Sequence, residues 1–160
     1  MRETARSGFT LIELLVCLAI LGVVVGTGLA FARPAHDVRA AAATKALLLW
    51  ARAEAIWQGG SVAVTELPLG GGFVARLLPP GSGDCAAGEP LARVLLLDHP
   101  GVRVTDGFGG RGGIVWLASG SGRSCSGGGV ISGDLRLAGL TSASRVVISS
   151  LGRVRVEREP

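Results

Sequence analysis

The chain has 160 residues, with 16 basic and 12 acidic side chains and a formal net charge of +4. That length holds one modest domain beside a membrane segment, which excludes a multidomain assembly. Lys45 is the only lysine, Gln58 the only glutamine, and asparagine is absent, a scarcity of thermolabile amides that a heat-adapted source and GC-rich coding would each produce.

The first segment, Met1 to Gly8, is short, polar and net basic through Arg2 and Arg6 against Glu3. Phe9 to Phe31 then form an apolar run whose only charge is Glu13. At about 1.5 Å per residue such a run is long enough to cross a hydrocarbon core of roughly 30 Å. Basic residues ahead of it would keep the N-terminus cytoplasmic. An ordinary signal peptide has a shorter apolar region followed by a small-x-small cleavage site. Here the run ends in Phe31-Ala32-Arg33-Pro34 instead. A plain signal anchor leaves Glu13 unaccounted for. A carboxylate in a bilayer costs a few kcal/mol on insertion scales and persists where something pairs with it.

The stretch Gly8-Phe9-Thr10-Leu11-Ile12-Glu13-Leu14-Leu15 resembles the cleavage and methylation motif of type IV prepilins and type II secretion pseudopilins. The resemblance implies a leader peptide of residues 1–8, cut by a prepilin peptidase between Gly8 and Phe9, and methylation of the new Phe9 amine. It also implies that Glu13 neutralises the amino group of a neighbouring subunit as a filament grows. Residues 9–32 would be the transmembrane and assembly helix, and residues 33–160 a periplasmic head.

Beyond Pro34, the residues Val38, Ala42, Ala46, Leu49, Ala53 and Ile56 recur at spacings of three and four. They mark one apolar stripe, read as the face that lies on a sheet. Trp50 and Trp57, a heptad apart, read as core packing of that helix. Gly59-Gly60 supplies the stop. The expectation is a single helix from about Phe9 to Gln58, with Pro34 near the junction of its halves.

After Gly60 short β-rich runs alternate with Gly, Pro and Ser: Ser61–Leu67, Gly72–Leu78, Arg93–Leu97, Val102–Thr105, Gly113–Ala118, Val130–Leu137 and Arg145–Val156. They predict an antiparallel β-sheet head packed on the second half of the helix, an α+β arrangement. Two segments are similar to FimT/GspH-type minor pilins. One is Leu47 to Ile56 with the following Val62-Ala63-Val64. The other is the tail from Arg145 to Val156, with its Gly152-Arg153-Val154-Arg155 ending.

Cys17 lies inside the apolar run, where a thiol behaves as a small hydrophobe. Cys85 and Cys125 fall in Gly/Ser-rich loops of the part that would face an oxidising compartment, so they form either a disulfide or two free thiols. Without nearby histidines they do not make a metal site. Gly107-Phe108-Gly109-Gly110-Arg111-Gly112 satisfies G-x-G-x-x-G, but a strand-like Ile114–Leu117 follows where a nucleotide site needs a helix. No P-loop signature exists, so the chain is not the ATPase that drives a filament. His36 and His99 have no partner at a triad-like spacing, and no catalytic residue or cofactor is assigned.

On an extended C-terminal strand, alternation puts Arg153, Arg155 and Glu157 on one face and Val154, Val156 and Arg158 on the other. With Arg145 across the turn and Arg158 at the tail, these arginines could grip phosphates, while Glu157 and Glu159 weaken the local field. The ending's association with DNA capture in FimT-like pilins implies the same here; the other reading is the polar face of an amphipathic strand. The resulting expectation is a non-enzymatic minor pilin of a type IV pilus in the bacterial inner membrane, helping assembly and binding other pilins. A type II secretion pseudopilin and a membrane-anchored periplasmic enzyme are the alternatives.

Overall fold

A computed structural model describes residues 10–31, 35–126, 129 and 131–159, with side chains of the first segment described as far as Val24. The processing residues Gly8 and Phe9, and the expected junction at Pro34, lie outside the described residues. The chain divides into two units, Met1–Pro34 and Ala35–Pro160.

The first unit is helix α1, Leu11–Phe31. Its large apolar side chains from Leu11 to Val24 are exposed on every side, so the unit holds no core of its own. No helix is long and apolar enough to cross a membrane over the described residues, although the apolar sequence runs on past Val24 to Phe31.

The second unit opens with α2, His36–Gln58. Gly59, at φ 64°, donates to the Ile56 carbonyl and Gly60 to the Ala55 carbonyl, the paired closing bonds of a Schellman motif that needs a left-handed residue. The chain then enters a five-stranded sheet. Its strands are β1 Ser61–Glu66, β2 Gly72–Leu78, β3 Glu89–Leu95, β5 Ile114–Trp116 and β6 Gly122–Ser124, in the order β3-β2-β1-β5-β6. A second sheet has four strands, β4 Arg103–Asp106, β7 Gly133–Ala138, β8 Ala143–Ile148 and β9 Val154–Glu159, in the order β4-β7-β8-β9. Every pairing is antiparallel.

The α+β class is thus present, with two corrections. The head has two sheets where one was expected, and β6 was not foreseen, because Gly-Arg-Ser carries no apolar alternation. Leu96 and Leu97, expected to end a strand from Arg93, instead open a 3-10 turn, Leu96–Asp98, closed by the bond from the His99 N–H to the Leu96 carbonyl.

One core lies between α2 and the inner faces of both sheets. Val62, Val64, Phe73, Ile114 and Trp116 come from the first sheet, and Leu135, Leu137, Val146 and Ile148 from the second. From α2 it takes Ala40, Ala41, Leu47, Leu48, Ala51 and Ala55, with Thr44 also buried and back-bonded to the Ala40 carbonyl. The sequence reading placed the wrong stripe of α2 on the sheet. Ala42, Ala46, Leu49, Ala53 and Ile56 face outward. Trp50 and Trp57 are also exposed, at 40% and 82%. Alanine and leucine recur at spacings of three and four on both sides of the helix, so spacing alone admits two stripes, and the sheets take the one through Ala40, Thr44, Leu47, Leu48, Ala51 and Ala55.

Asp37 sits in the first turn of α2 and is buried. Its carboxylate accepts from the Ser142 hydroxyl at 2.9 Å and the Ser144 hydroxyl at 2.8 Å, which ties the start of the helix to the β7–β8 turn. Burial by itself pushes this carboxyl up. The bonds from Ser144 and Ser142, with those from the Asp37 and Val38 backbone, outweigh that and hold it below its ordinary value.

Candidate functional site

At the start of α1, Thr10 and Glu13 form a reciprocal capping box. The Thr10 backbone N–H and hydroxyl both donate to Glu13 Oε2 at 2.9 Å, and the Glu13 N–H donates to Thr10 Oγ1 at 3.3 Å. The pattern Thr-x-x-Glu ahead of an apolar run was readable as this cap, and the sequence reading missed Thr10. Both acceptances fall on Oε2; among the described residues Oε1 has no hydrogen-bond partner. The carboxylate therefore fixes the helix start through Oε2 alone among the described residues.

The second candidate site is the turn between β8 and β9. The Ser149 N–H donates to the Arg153 carbonyl, Gly152 donates back to the Ser149 carbonyl, and the Arg153 N–H donates to Ser149 Oγ at 3.1 Å. Gly152 has φ 75°, and a Cβ there would come within 3.1 Å of the Trp116 ring and 3.5 Å of the Arg52 guanidinium. Arg52 reaches in from α2, donates to the Gly152 carbonyl at 3.2 Å and stacks 5.6 Å from the Trp116 ring centroid. An open groove of about 670 Å³ runs past this point, lined in part by Arg52, Arg153, Arg155, Leu49 and Leu151.

The arginines named from sequence do not form one patch. Arg153 and Arg155 share the groove, but Arg155 is ion-paired with Glu157 at 2.8 Å. Arg145 is bound to Asp134 at 2.5 Å, and this partner raises its already high pKa. Arg158 lies opposite Ser144 in the ladder, away from the turn. Arg153 alone of the four lines the groove without an ion pair among the described residues. Arg52 was missed, because a lone arginine in a helix gives no sign of a strand turn far along the chain.

Cys85 and Cys125 are bonded, with Cα atoms 5.9 Å apart. With Ala63, Leu78 and Val115 they make a small second cluster, on the face of the first sheet turned away from α2. The glycine-rich 107–112 segment is a loop. Its Phe108 is buried and packs edge-on against Phe73 at 5.8 Å.

Residues 4–29 match the prokaryotic N-terminal methylation motif, and residues 40–152 match the family of type II transport protein GspH. The chain belongs to the GspH family. Two solved structures share the fold. The type IV minor pilin FimU of Pseudomonas aeruginosa PAO1 is 19% identical, covering 78% of this chain and 88% of its own at a TM-score of 0.58. The minor pseudopilin EpsH from the type 2 secretion system of Vibrio cholerae is 16% identical, covering 77% and 97% at 0.57. A comparison with curated proteins finds no match. The fold is pilin-like, and the family is one of minor pilin and pseudopilin subunits that assemble into filaments, not a class of enzymes.

Proposed function

We propose that this chain is a non-enzymatic minor subunit of a type IV pilus, made with a leader of residues 1–8 and held by residues 9–32 in the inner membrane with its head in the periplasm. The observation that carries this reading is α1, whose sequence is apolar and interrupted only by Glu13, and whose large side chains from Leu11 to Val24 are exposed on every side. Such a surface is stable only inside lipid or among other helices. In lipid its carboxylate needs a cation. That both Thr10 bonds fall on Oε2 supports the assembly role: Glu13 accepts the Phe9 ammonium of a neighbouring subunit through Oε1 and keeps Thr10 on the other oxygen.

Changing Glu13 to Gln tests it. The variant is expected to be processed and inserted normally, with an intact head, yet to be missing from the filament. Normal incorporation of Glu13→Gln contradicts the proposal.

A second reading, a type II secretion pseudopilin, is favoured by the GspH family match over 40–152. Mechanical shearing separates the two: a pilus subunit leaves with the sheared surface filaments, whereas a pseudopilin stays with the cell envelope. DNA capture draws support only from the groove at Arg153, since Arg145 and Arg155 are already neutralised by carboxylates.

A further inference from the structure

Among the described residues outside α1, the three most exposed large apolar side chains are leucines in three different loops. Leu69 stands between β1 and β2, Leu97 between β3 and β4, and Leu140 in the β7–β8 turn. Leu69 is fully exposed, and Leu97 and Leu140 are 85% and 89% exposed. Leu69 is out of place twice over, because its φ of 60° is a left-handed backbone that leucine adopts at a cost.

The topology brings all three to one end of the head. β1 and β3 run the same way, since both pair antiparallel with β2, so the chain leaves them at one end of the sheet. There Leu69 and Leu97 line an open groove of about 710 Å³ together with Pro100, Gly101 and Arg103. Leu140 lies over Gly101, where an added Cβ would meet its Cγ at 3.0 Å. The turn that holds Leu140 is tied to the first turn of α2 by the Ser142 hydroxyl, which donates to Asp37. The leucines therefore crown the end of the head at which α2 begins.

What covers this end follows from the chain itself. Residues 9–32, read above as the membrane helix, end four residues before His36, a separation of at most about 14 Å of extended chain. The end that carries the leucines is thus the one that a bilayer surface can reach. Single leucines on separate loops suit such a surface, because each enters the headgroup boundary alone and no matching shape is required. A protein partner would need one contiguous apolar patch, whereas the neighbours of these leucines along the chain include Pro68, Gly70, Asp98, Gly139 and Thr141. Charges of both signs ring this end, Arg39 and Arg103 with Asp98 and Glu66 among them, so the attraction rests on the leucines.

We propose that, while the subunit is held in the membrane, Leu69, Leu97 and Leu140 dip into the lipid headgroup layer and seat the head on the bilayer. This rests on the reading of residues 9–32 as a membrane helix and adds the face of the head that meets lipid. Binding of this kind scales with the apolar area buried and not with counter-ions, so it is expected to survive salt that screens surface charge.

The test uses the full chain in inner-membrane vesicles, with a diazirine-bearing residue in place of Leu69, Leu97, Leu140 or Leu151. Leu151 is the control, a leucine 76% exposed in the β8–β9 turn, at the far end of β8 from Leu140. After irradiation the peptides are weighed for added phospholipid, and alkaline carbonate extraction is run in parallel. The yield of lipid adducts is expected to be at least about five-fold higher at positions 69, 97 and 140 than at 151. With the probe at 140, Leu97→Asp is expected to lower the yield at least about five-fold and Leu97→Met to preserve it, both variants melting like the parent. Raising the salt from roughly 0.05 to 0.5 M is expected to change the yield by less than about two-fold. Adducts chiefly to protein, a second copy included, or equal lipid yields at all four positions overturn the proposal. So does the absence of lipid adducts in a chain that carbonate leaves in the membrane. A chain that carbonate extracts removes the membrane-helix reading as well.

Discussion

The guanidinium of Arg52 in α2 donates to the carbonyl oxygen of Gly152 at 3.2 Å, 100 residues further along the chain. The same group lies over the Trp116 ring, so one side chain ties the helix, the first sheet and the β8–β9 turn together. Arg52→Ala is expected to destabilise the head by about 1–3 kcal/mol, because it orphans a carbonyl and uncovers the buried indole. Gly152→Ala is expected to cost a similar amount, from its left-handed φ and from the approach to Trp116. Denaturant melts of both variants check this, and an unchanged midpoint for Arg52→Ala contradicts it.

Asp37 gives a prediction about acid. Its folded carboxyl lies below the unfolded value of about 3.9, so the carboxylate adds stability above that pH, and the addition is lost as pH falls through the depressed folded value. Asp37→Asn should lower the melting temperature at neutral pH and flatten its decline between about pH 5 and 2. Parallel acid titrations for the two proteins would refute this role for Asp37.

The Cys85–Cys125 bond joins residues 40 apart, a loop long enough for a stabilisation of about 2–4 kcal/mol from chain entropy. Replacing both cysteines by serine should bring unfolding to lower denaturant by that amount, with the fold retained. A change below about 0.5 kcal/mol would mean that the denatured chain gains nothing from losing the bond.

Much of this architecture could be read in advance. The strands from Ser61 and Gly72 and the closing hairpin announced themselves through alternation bounded by glycine. The start of α1 was equally legible, although the partnership of Thr10 with Glu13 was overlooked beside the cleavage motif. What periodicity could not decide was which side of α2 is inside. Ala40, Ala41, Thr44, Leu48, Ala51 and Ala55 repeat as regularly as the outward stripe, and only the two sheets choose between them. Ion pairing was also hidden. Arg145 looked like a free cation until the β7–β8 register set Asp134 within reach, whereas Glu157 stands two residues from Arg155 on the same face of the strand.

That pairing bears on nucleic acid. With Arg153 the one groove-lining arginine of the C-terminal set without an ion pair, duplex DNA is expected to bind weakly, with Kd above about 10⁻⁶ M at physiological salt and strong salt dependence. Filter retention with the head checks it. A sub-micromolar Kd that disappears when Arg153 and Arg155 are both changed to Ala would instead establish a DNA-capture site.

Filament membership through a processed N-terminal helix is checked by intact-mass and N-terminal peptide spectrometry of the protein from its native membrane. The expected chain begins at Phe9 with an N-methylated amine. A chain that retains Met1, or one cut near residue 33, would contradict it.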